Sequence, residues 1–122
     1  MVRMETLNGK FLYAISLNTD GGTFDLCPAD VCLIDKPTVT VREFKPDAEA
    51  IKAAEAIARA SGLDIGGIEF MVDERDGVRR FYDINGLSNF VADPLNVLGW
   101  DPHEKLVDYL IDVIASTQEQ AA

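Results

Sequence analysis

The chain has 122 residues, which is enough for one domain and too few for two. Its formal net charge of −10 argues against binding to nucleic acid or to an anionic membrane surface, because both require basic side chains to neutralise phosphate. Hydrophobic residues make up 48% of the chain, an ordinary share for a protein with a buried core. No apolar run approaches the length of a membrane span and no secretion signal opens the sequence, so we expect a cytoplasmic protein.

A hairpin opens the chain, with predicted strands over 2–7 and 10–18 around an Asn-Gly dipeptide that is typical of a two-residue type I′ turn. Alternation predicts one shared face for four residues of the second strand: Phe11, Tyr13, Ile15 and Leu17. We expect Val2 and Met4 opposite them. Because nothing precedes the first strand, we expect the chain, a single domain over 1–122, to be a piece of a longer protein.

The stretch 19–36 is rich in turn-forming residues and contains both cysteines, Cys27 and Cys32. Two thiols and one histidine are too few for a zinc site, so we favour reduced structural thiols over a disulfide or a redox pair. A short apolar run at 31–34 is interpreted as a buried strand edge. Residues 38–44 then predict a further strand or an extended connection.

Pro46-Asp47 opens a predicted helix, and Gly62 is typical of the glycine that follows a last helical residue. Asp47 is a suitable N-cap, and Glu49 lies where the positive end of the helix dipole favours an acid. Four apolar residues recur at helical spacing: Ile51, Ala54, Ile57 and Ala58. This narrow stripe is expected to pack on a sheet and to have no chemical role.

A second hairpin is predicted around a three-residue loop that ends at Gly77, where a left-handed conformation is needed. The register that this loop sets predicts one apolar face: Ile68, Phe70, Tyr82 and Ile84. In the same register, Phe70 faces Tyr82 and Ile68 faces Ile84. On the other face, Met71 is expected to meet Phe81, and Asp73 to meet Arg79.

Glu69 and Asp83 also face each other in this register, and Asn85 follows on the same side. Two carboxylates directly opposite each other in a sheet repel, so we expect a positive group between them. Two carboxylates and an amide carbonyl suit Mg²⁺, with water and phosphate oxygens completing its coordination. The alternative is a solvated acidic face without a metal. A two-residue turn at 76–77 would slip the register and remove the acid pair.

After a stretch at 86–99 that is expected to be mostly loop, Asp101 caps the last helix, Pro102 takes its first turn and Glu104 completes a capping box. The helix carries a broad apolar face: Leu106, Val107, Leu110, Ile111, Val113 and Ile114. We expect this face to cover the sheet beside the first helix. His103 is expected to be exposed and without a catalytic role.

The second hairpin contains Gly-Ile-Glu-Phe before its loop and Phe-Tyr-Asp-Ile-Asn after it. These segments resemble the end of the ATP-grasp fold, especially its glutathione synthetase and ribosomal-protein glutamate ligase branch. The resemblance implies an α+β fold, a mostly antiparallel sheet covered by two main helices, like the C-terminal half of the ATP-grasp fold. It also implies that Glu69, Asp83 and Asn85 bind Mg²⁺, or Mn²⁺, against the phosphates of ATP. Asp83 stands where the family usually has glutamate.

The first hairpin is similar to the Arg-bearing strand, glycine turn and strand that ATP-grasp enzymes have at this point. The resemblance places Arg3 where it would reach phosphate or a carboxylate, as a candidate catalytic residue, and places Ser88 and Asn89 near the substrate. Two features depart from the family. Ser16 stands where many relatives carry an arginine, and 19–36 lacks their glycine-rich loop.

The resemblance implies part of an ATP-dependent ligase that joins a small carboxylate to an amine or thiol through an acyl phosphate. The lysine-bearing lid and the adenine-binding hinge of such enzymes lie outside this chain, so we expect it to be inactive by itself. The alternative is a non-catalytic acidic domain of the same fold that binds a cation or a protein partner. Exposed strand edges would also allow two copies to pair.

Overall fold

The computed structural model describes residues 1–19 and 39–121, and every structural statement below concerns those ranges. The strands are β1 (Val2–Leu7), β2 (Lys10–Thr19), β3 (Val39–Glu43), β4 (Ile65–Val72) and β5 (Arg79–Asn85). The helices are α1 (Ala48–Ala60), α2 (Pro94–Val97) and α3 (His103–Ala121). The five strands form one antiparallel sheet in the order β3-β2-β1-β4-β5. The predicted α+β class is therefore confirmed. The predictions for Cys27, Cys32 and 31–34 lie outside the described residues.

The turn between β1 and β2 has the predicted type I′ geometry, with φ of 52° at Asn8 and 68° at Gly9. The face predicted for Phe11 is wrong. A β-bulge at Leu12 lies between the pairs formed by Phe11 and Tyr13 with β1, and it turns these two aromatic rings to opposite sides of the sheet. Tyr13 lies on the same face as Ile15 and Leu17, as predicted.

One side of the sheet, here called the α1 face, packs against α1. Its buried residues are Met4, Ala14, Ala50, Ala54, Ala58, Ile68 and Phe70. The predicted caps of α1 are confirmed, since an Asp47 carboxylate oxygen accepts from the Ala50 amide at 2.8 Å and Gly62 has φ of 65°. Val2 and Met4 lie on this face, paired with Ser16 and Ala14. The prediction that Val2 and Met4 share a face with Tyr13 is therefore wrong.

The other side of the sheet, here called the opposite face, is covered over β2 by the segment between β5 and α3. Tyr13, Ile15 and Val91 are buried there, and the edge of the Tyr13 ring contacts Phe90 and Trp100 at centroid distances of 6.0 and 6.2 Å. The predicted loop at 86–99 is present apart from the single turn of α2. Within this segment, Ser88 lies over β1, where its Oγ accepts a hydrogen bond from Arg3.

Asp101 caps helix α3 as predicted, with a carboxylate oxygen accepting from the His103 amide at 2.9 Å. The Glu104 amide donates to the Asp101 backbone carbonyl at 3.2 Å, so the predicted capping box is not confirmed. The packing of the helix differs from the prediction, because no residue of α3 is buried. Five residues of its apolar face are 42–58% exposed: Val107, Leu110, Ile111, Val113 and Ile114. The exposure expected for His103 is confirmed. Among the helices in the described ranges, none is long and apolar enough to cross a membrane.

Candidate functional site

The opposite face carries two adjacent rows of residues across β1, β4 and β5: Arg3, Glu69 and Asp83 in one row, and Glu5, Gly67 and Asn85 in the next. Glu69 is paired directly with Asp83, as the sequence predicts. Asn85 follows Asp83 on the same side, because side chains alternate along β5 at this point. The structure therefore places the three predicted ligands on one face, with Arg3 in the same row.

The hairpin reaches this register by a different route from the predicted one. Its loop is one residue longer, because Asp73 is hydrogen-bonded to Val78 rather than paired with Arg79. Three predicted pairs are consequently wrong: Phe70–Tyr82, Met71–Phe81 and Asp73–Arg79. A β-bulge at Tyr82 then moves the register back by one residue, which restores the pairs Glu69–Asp83 and Ile68–Ile84. Gly77 has the predicted left-handed conformation, with φ of 69°.

Arg3 supplies positive charge to the site. Its Nε donates a hydrogen bond to Glu5 Oε1 at 2.7 Å, and its Nη1 lies 3.6 Å from Glu69 Oε1. Its Nη2 donates to Ser88 Oγ at 3.2 Å. The Arg3 side chain is 22% exposed, so these charge interactions are only partly screened by water. The positive group expected beside Glu69 is thus in part a side chain of the chain itself.

Gly67 provides the space that Arg3 occupies. A Cβ atom at Gly67 would lie 2.7–3.0 Å from the Nε, Cζ and Nη2 atoms of Arg3, closer than real Cβ contacts allow. A larger residue would therefore displace the guanidinium group. Sequence reasoning did not identify Gly67, and one glycine of a Gly-Gly pair in a strand gives only a weak signal of a close approach.

Glu5 is a second buried carboxylate that sequence reasoning did not identify. It is 1% exposed, and its Oε2 has no hydrogen-bond partner in the described part of the chain. A buried acceptor without a partner costs about 1–3 kcal/mol, so this position is not optimised for stability alone. The only counter-ion bonded to Glu5 in the described ranges is Arg3. The signal in the sequence was the Arg3–Glu5 spacing, which puts opposite charges on one face of a strand.

Tyr82 contacts the first predicted ligand directly. Its hydroxyl donates a hydrogen bond to Glu69 Oε2 at 3.0 Å, although the sequence predicted that Tyr82 lies on the apolar face. Burial raises the pKa of Tyr82 above its ordinary value, and the hydrogen bond to Glu69 raises it further. The phenol therefore remains protonated and acts as a donor to Glu69.

The remaining predicted site residues lie near the C-terminal end of β5 or in the loop that follows it. Asp83 is exposed, and Asn85 Oδ1 accepts from the Leu87 amide at 2.8 Å. Ser88 Oγ accepts hydrogen bonds from Arg3 and from the Phe90 amide, which anchors the loop over β1. Asn89 is exposed at the same loop. The loop is therefore held to β1 by the hydrogen bond from Arg3 to Ser88.

The donor chemistry of this face fits a hard cation. Within residues 1–19 and 39–121, no three His, Cys, Asp or Glu side chains are grouped so that they could hold a metal ion. Coordination here would instead combine the carboxylates of Glu69 and Asp83 with the amide oxygen of Asn85, and with water or phosphate oxygens. An all-oxygen set with few protein ligands is the kind that Mg²⁺ uses.

Tyr13 lies on the same face, at the end that the segment between β5 and α3 covers. Its hydroxyl oxygen accepts a hydrogen bond from the Val91 amide at 2.8 Å. Burial raises the pKa of Tyr13, and the nearby negative charge of Glu5 raises it further. Ser16 does not take part in this face, because it pairs with Val2 on the side of the sheet that packs against α1.

Comparison with solved structures shows what fold this arrangement belongs to. The chain is similar to the ATP-grasp ligase PsnB complexed with minimal precursor, with 17% identity and a TM-score of 0.69 over 91% of this chain and 34% of that chain. It is also similar to PsnB complexed with a phosphomimetic variant of minimal precursor, Mg and ADP, with 19% identity and a TM-score of 0.70 over 91% and 32%. The chain thus has an ATP-grasp-like fold and spans about a third of the length of PsnB. No family model and no curated protein matches its sequence.

Proposed function

We propose that the chain is the C-terminal, Mg²⁺- and ATP-binding portion of an ATP-dependent ligase of the glutathione synthetase and glutamate ligase type. Such an enzyme joins a small carboxylate to an amine or a thiol, and the portion proposed here is inactive by itself. The observation that carries the proposal is the Glu69–Asp83 pair on one face of a sheet with an ATP-grasp-like fold. In support, PsnB was solved with Mg and ADP.

In this proposal, Glu69, Asp83 and Asn85 hold Mg²⁺ or Mn²⁺. When bound, the ion supplies positive charge that stabilises the phosphoryl group during transfer. Arg3 contributes a second positive charge from the same row, in reach of phosphate or of a substrate carboxylate. Glu5 holds the Nε side of Arg3, so that its two Nη atoms are directed towards Glu69 and Ser88.

Ser88 and Asn89 are proposed to contact the substrate, because their loop lies over the strand that carries Arg3. The partners in the proposal are ATP and a small carboxylate in a longer cytoplasmic protein, with no nucleic acid and no membrane. Pairing of two copies through the edge strands β3 and β5 is part of the same proposal.

The alternative is a non-catalytic domain of this fold that binds a cation or a protein. One observation favours it, since Arg3 already lies 3.6 Å from Glu69 and compensates part of the acidic charge. The two functions differ in nucleotide binding, because only the ligase portion requires that ATP or ADP bind together with the metal.

The first experiment measures binding of Mn²⁺ to the folded chain by electron paramagnetic resonance, with Mg²⁺ as a competitor. Three substitutions are expected to weaken binding about tenfold or more, since loss of even an outer-shell partner typically costs about 10–100-fold in metal affinity. They are Glu69→Gln, Asp83→Asn and Asn85→Ala. The matched control is Glu74→Gln, which removes an exposed carboxylate in the hairpin loop and is expected to leave the affinity unchanged.

Calorimetric titration of the proposed longer protein with ADP, with and without Mg²⁺, then separates the two functions. Nucleotide binding that requires both Mg²⁺ and Glu69 supports the ligase portion. Metal binding without any nucleotide binding favours the alternative domain. If the wild-type chain binds no divalent cation, or if Glu74→Gln weakens binding as much as Glu69→Gln does, the proposed site is wrong.

A further inference from the structure

Tyr82 reaches the acidic residues only because of the bulge in β5. In a regular strand it would face Phe70 on the α1 face, as the sequence predicts. The bulge instead pairs Phe70 with Phe81, whose rings contact each other at a centroid distance of 5.4 Å. Tyr82 is left as the extra residue, with its hydroxyl on Glu69. Bulges commonly re-aim a side chain beside a functional site, and this one aims Tyr82 at a predicted ligand.

The two oxygens of the Glu69 carboxylate consequently have different surroundings. Oε2 accepts the Tyr82 hydroxyl at 3.0 Å, a normal hydrogen-bond distance. Oε1 has Arg3 Nη1 at 3.6 Å, which is an ionic contact without a hydrogen bond. Glu69 is 4% exposed, so its side chain has little room to rotate and exchange these roles. Oε1 is therefore the oxygen that can accept a cation without breaking a hydrogen bond, in exchange for its ionic contact with Arg3.

We propose that Tyr82 is a positioning residue that keeps Glu69 a one-oxygen ligand and thereby favours Mg²⁺ over Ca²⁺. This inference rests on the proposed function of the site. Mg²⁺ requires short bonds in a nearly octahedral arrangement, whereas Ca²⁺ accepts longer bonds, more ligands and carboxylates that bind through both oxygens. Two-oxygen binding by Glu69 would place the cation in competition with the Tyr82 hydroxyl for Oε2, so the arrangement that suits Ca²⁺ is disfavoured.

The test is the substitution Tyr82→Phe, which removes the hydroxyl and keeps the ring. The dissociation constants of Mg²⁺ and Ca²⁺ are measured by competition against Mn²⁺ on the folded chain. We expect the ratio of the Ca²⁺ constant to the Mg²⁺ constant to fall about tenfold, the low end of the effect of an outer-shell partner. The matched control is Tyr109→Phe, which removes a hydroxyl that donates to Asp64 at 3.1 Å, away from the site.

A second measurement needs no metal. The carboxylate carbon resonance of Glu69 is expected to shift in Tyr82→Phe and to stay in place in Tyr109→Phe. An unshifted resonance in Tyr82→Phe would show that the hydrogen bond does not hold Glu69, and would overturn the inference.

The possible results separate the inference from the proposed function. If the wild-type chain binds Mg²⁺ and Tyr82→Phe leaves the Ca²⁺ to Mg²⁺ ratio unchanged, the inference is overturned and the proposed site stands. The same holds if Tyr82→Phe weakens both ions equally, because that is the effect of a merely structural residue. If the wild-type chain binds neither ion, both the proposed site and the inference are wrong.

Discussion

Arg3 lies between two buried carboxylates, Glu5 and Glu69, which are 1% and 4% exposed. The alternation of a strand predicts that Arg3 and Glu5 share a face, so this pair was readable from the sequence. Its burial was not, because it depends on the loop at 86–91 that folds over β1 and is held there by Ser88. A contact across 85 positions of sequence leaves no local pattern.

The charge of Arg3 is expected to be important for stability. Arg3→Met keeps the length of the side chain and leaves two buried carboxylates without their counter-ion. Breaking a buried pair in this way typically costs about 3–5 kcal/mol, and we expect a loss of about 3 kcal/mol because Arg3 is partly exposed. Urea unfolding in metal-free buffer, followed by Trp100 fluorescence, measures the change.

The control for this prediction is Lys10→Met. Lys10 is also paired with a carboxylate, at 3.6 Å from Glu55, but its side chain is 74% exposed. An exposed pair of this kind contributes about 0–1 kcal/mol. Equal losses for Arg3→Met and Lys10→Met would contradict a buried charge cluster around Arg3.

The hairpin of β4 and β5 shows where sequence reasoning succeeds and where it fails at the level of an element. A glycine at position 77 satisfies a three-residue and a four-residue loop equally well, because both need a left-handed residue before the second strand. The choice between them depends on which aromatic residue packs against Phe70, and Phe81 takes that place rather than Tyr82. The acid pair was predicted correctly because the longer loop and the bulge offset each other.

Helix α3 shows a related limit. A capping side chain acts within a few positions of itself, so the Asp101 cap was predicted correctly. The apolar face of the helix was also visible in the sequence, but periodicity does not reveal which surface that face meets. In the structure the face does not lie on the sheet, and its residues are exposed except for Leu106, which is half-buried.

Substitutions on that face are therefore expected to have little effect on stability. Ile111, which is 58% exposed, is the test position, and Ile111→Ser should change the free energy of unfolding by about 0.5 kcal/mol or less. Ile68 is fully buried on the α1 face, so Ile68→Ala should cost about 2–5 kcal/mol. Urea unfolding curves measure both. A loss for Ile111→Ser that approaches the loss for Ile68→Ala would mean that α3 covers the sheet in solution.

Over the whole molecule, several acids are stabilised in their charged form. The pKa values of five carboxyl groups are lowered by hydrogen bonds: Asp47, Glu55, Asp73, Asp76 and Asp101. For Asp73, bonds from the Arg75 side chain and backbone lower the pKa to about 2. For Asp47, the Ala50 amide is the main cause, followed by Arg79. The acidic composition, with its net charge of −10, is thus partly compensated by local donors.

These shifts set the direction of the dependence of stability on pH. A carboxyl group with a lowered pKa in the folded chain stabilises it fully above the ordinary pKa, which is 3.8 for Asp and 4.5 for Glu. That contribution is lost as the pH falls towards the folded pKa, which is about 2 for Asp73. We therefore expect the urea midpoint to fall as the pH is lowered from 4.5 to 2, at constant ionic strength.

The loss of stability at low pH can be assigned to these carboxylate hydrogen bonds with a double variant, Asp73→Asn with Asp76→Asn. Asp73 pairs with Arg75, and Asp76 pairs with Arg80 at the start of β5. Replacing both acids removes two of the groups that must be protonated. The variant is expected to be less stable than wild type at pH 7, with a smaller further loss between pH 4.5 and 2. Because the folded pKa values of Asp73 and Asp76 are lowered, a double variant that loses as much stability as wild type over this pH range would contradict the assignment.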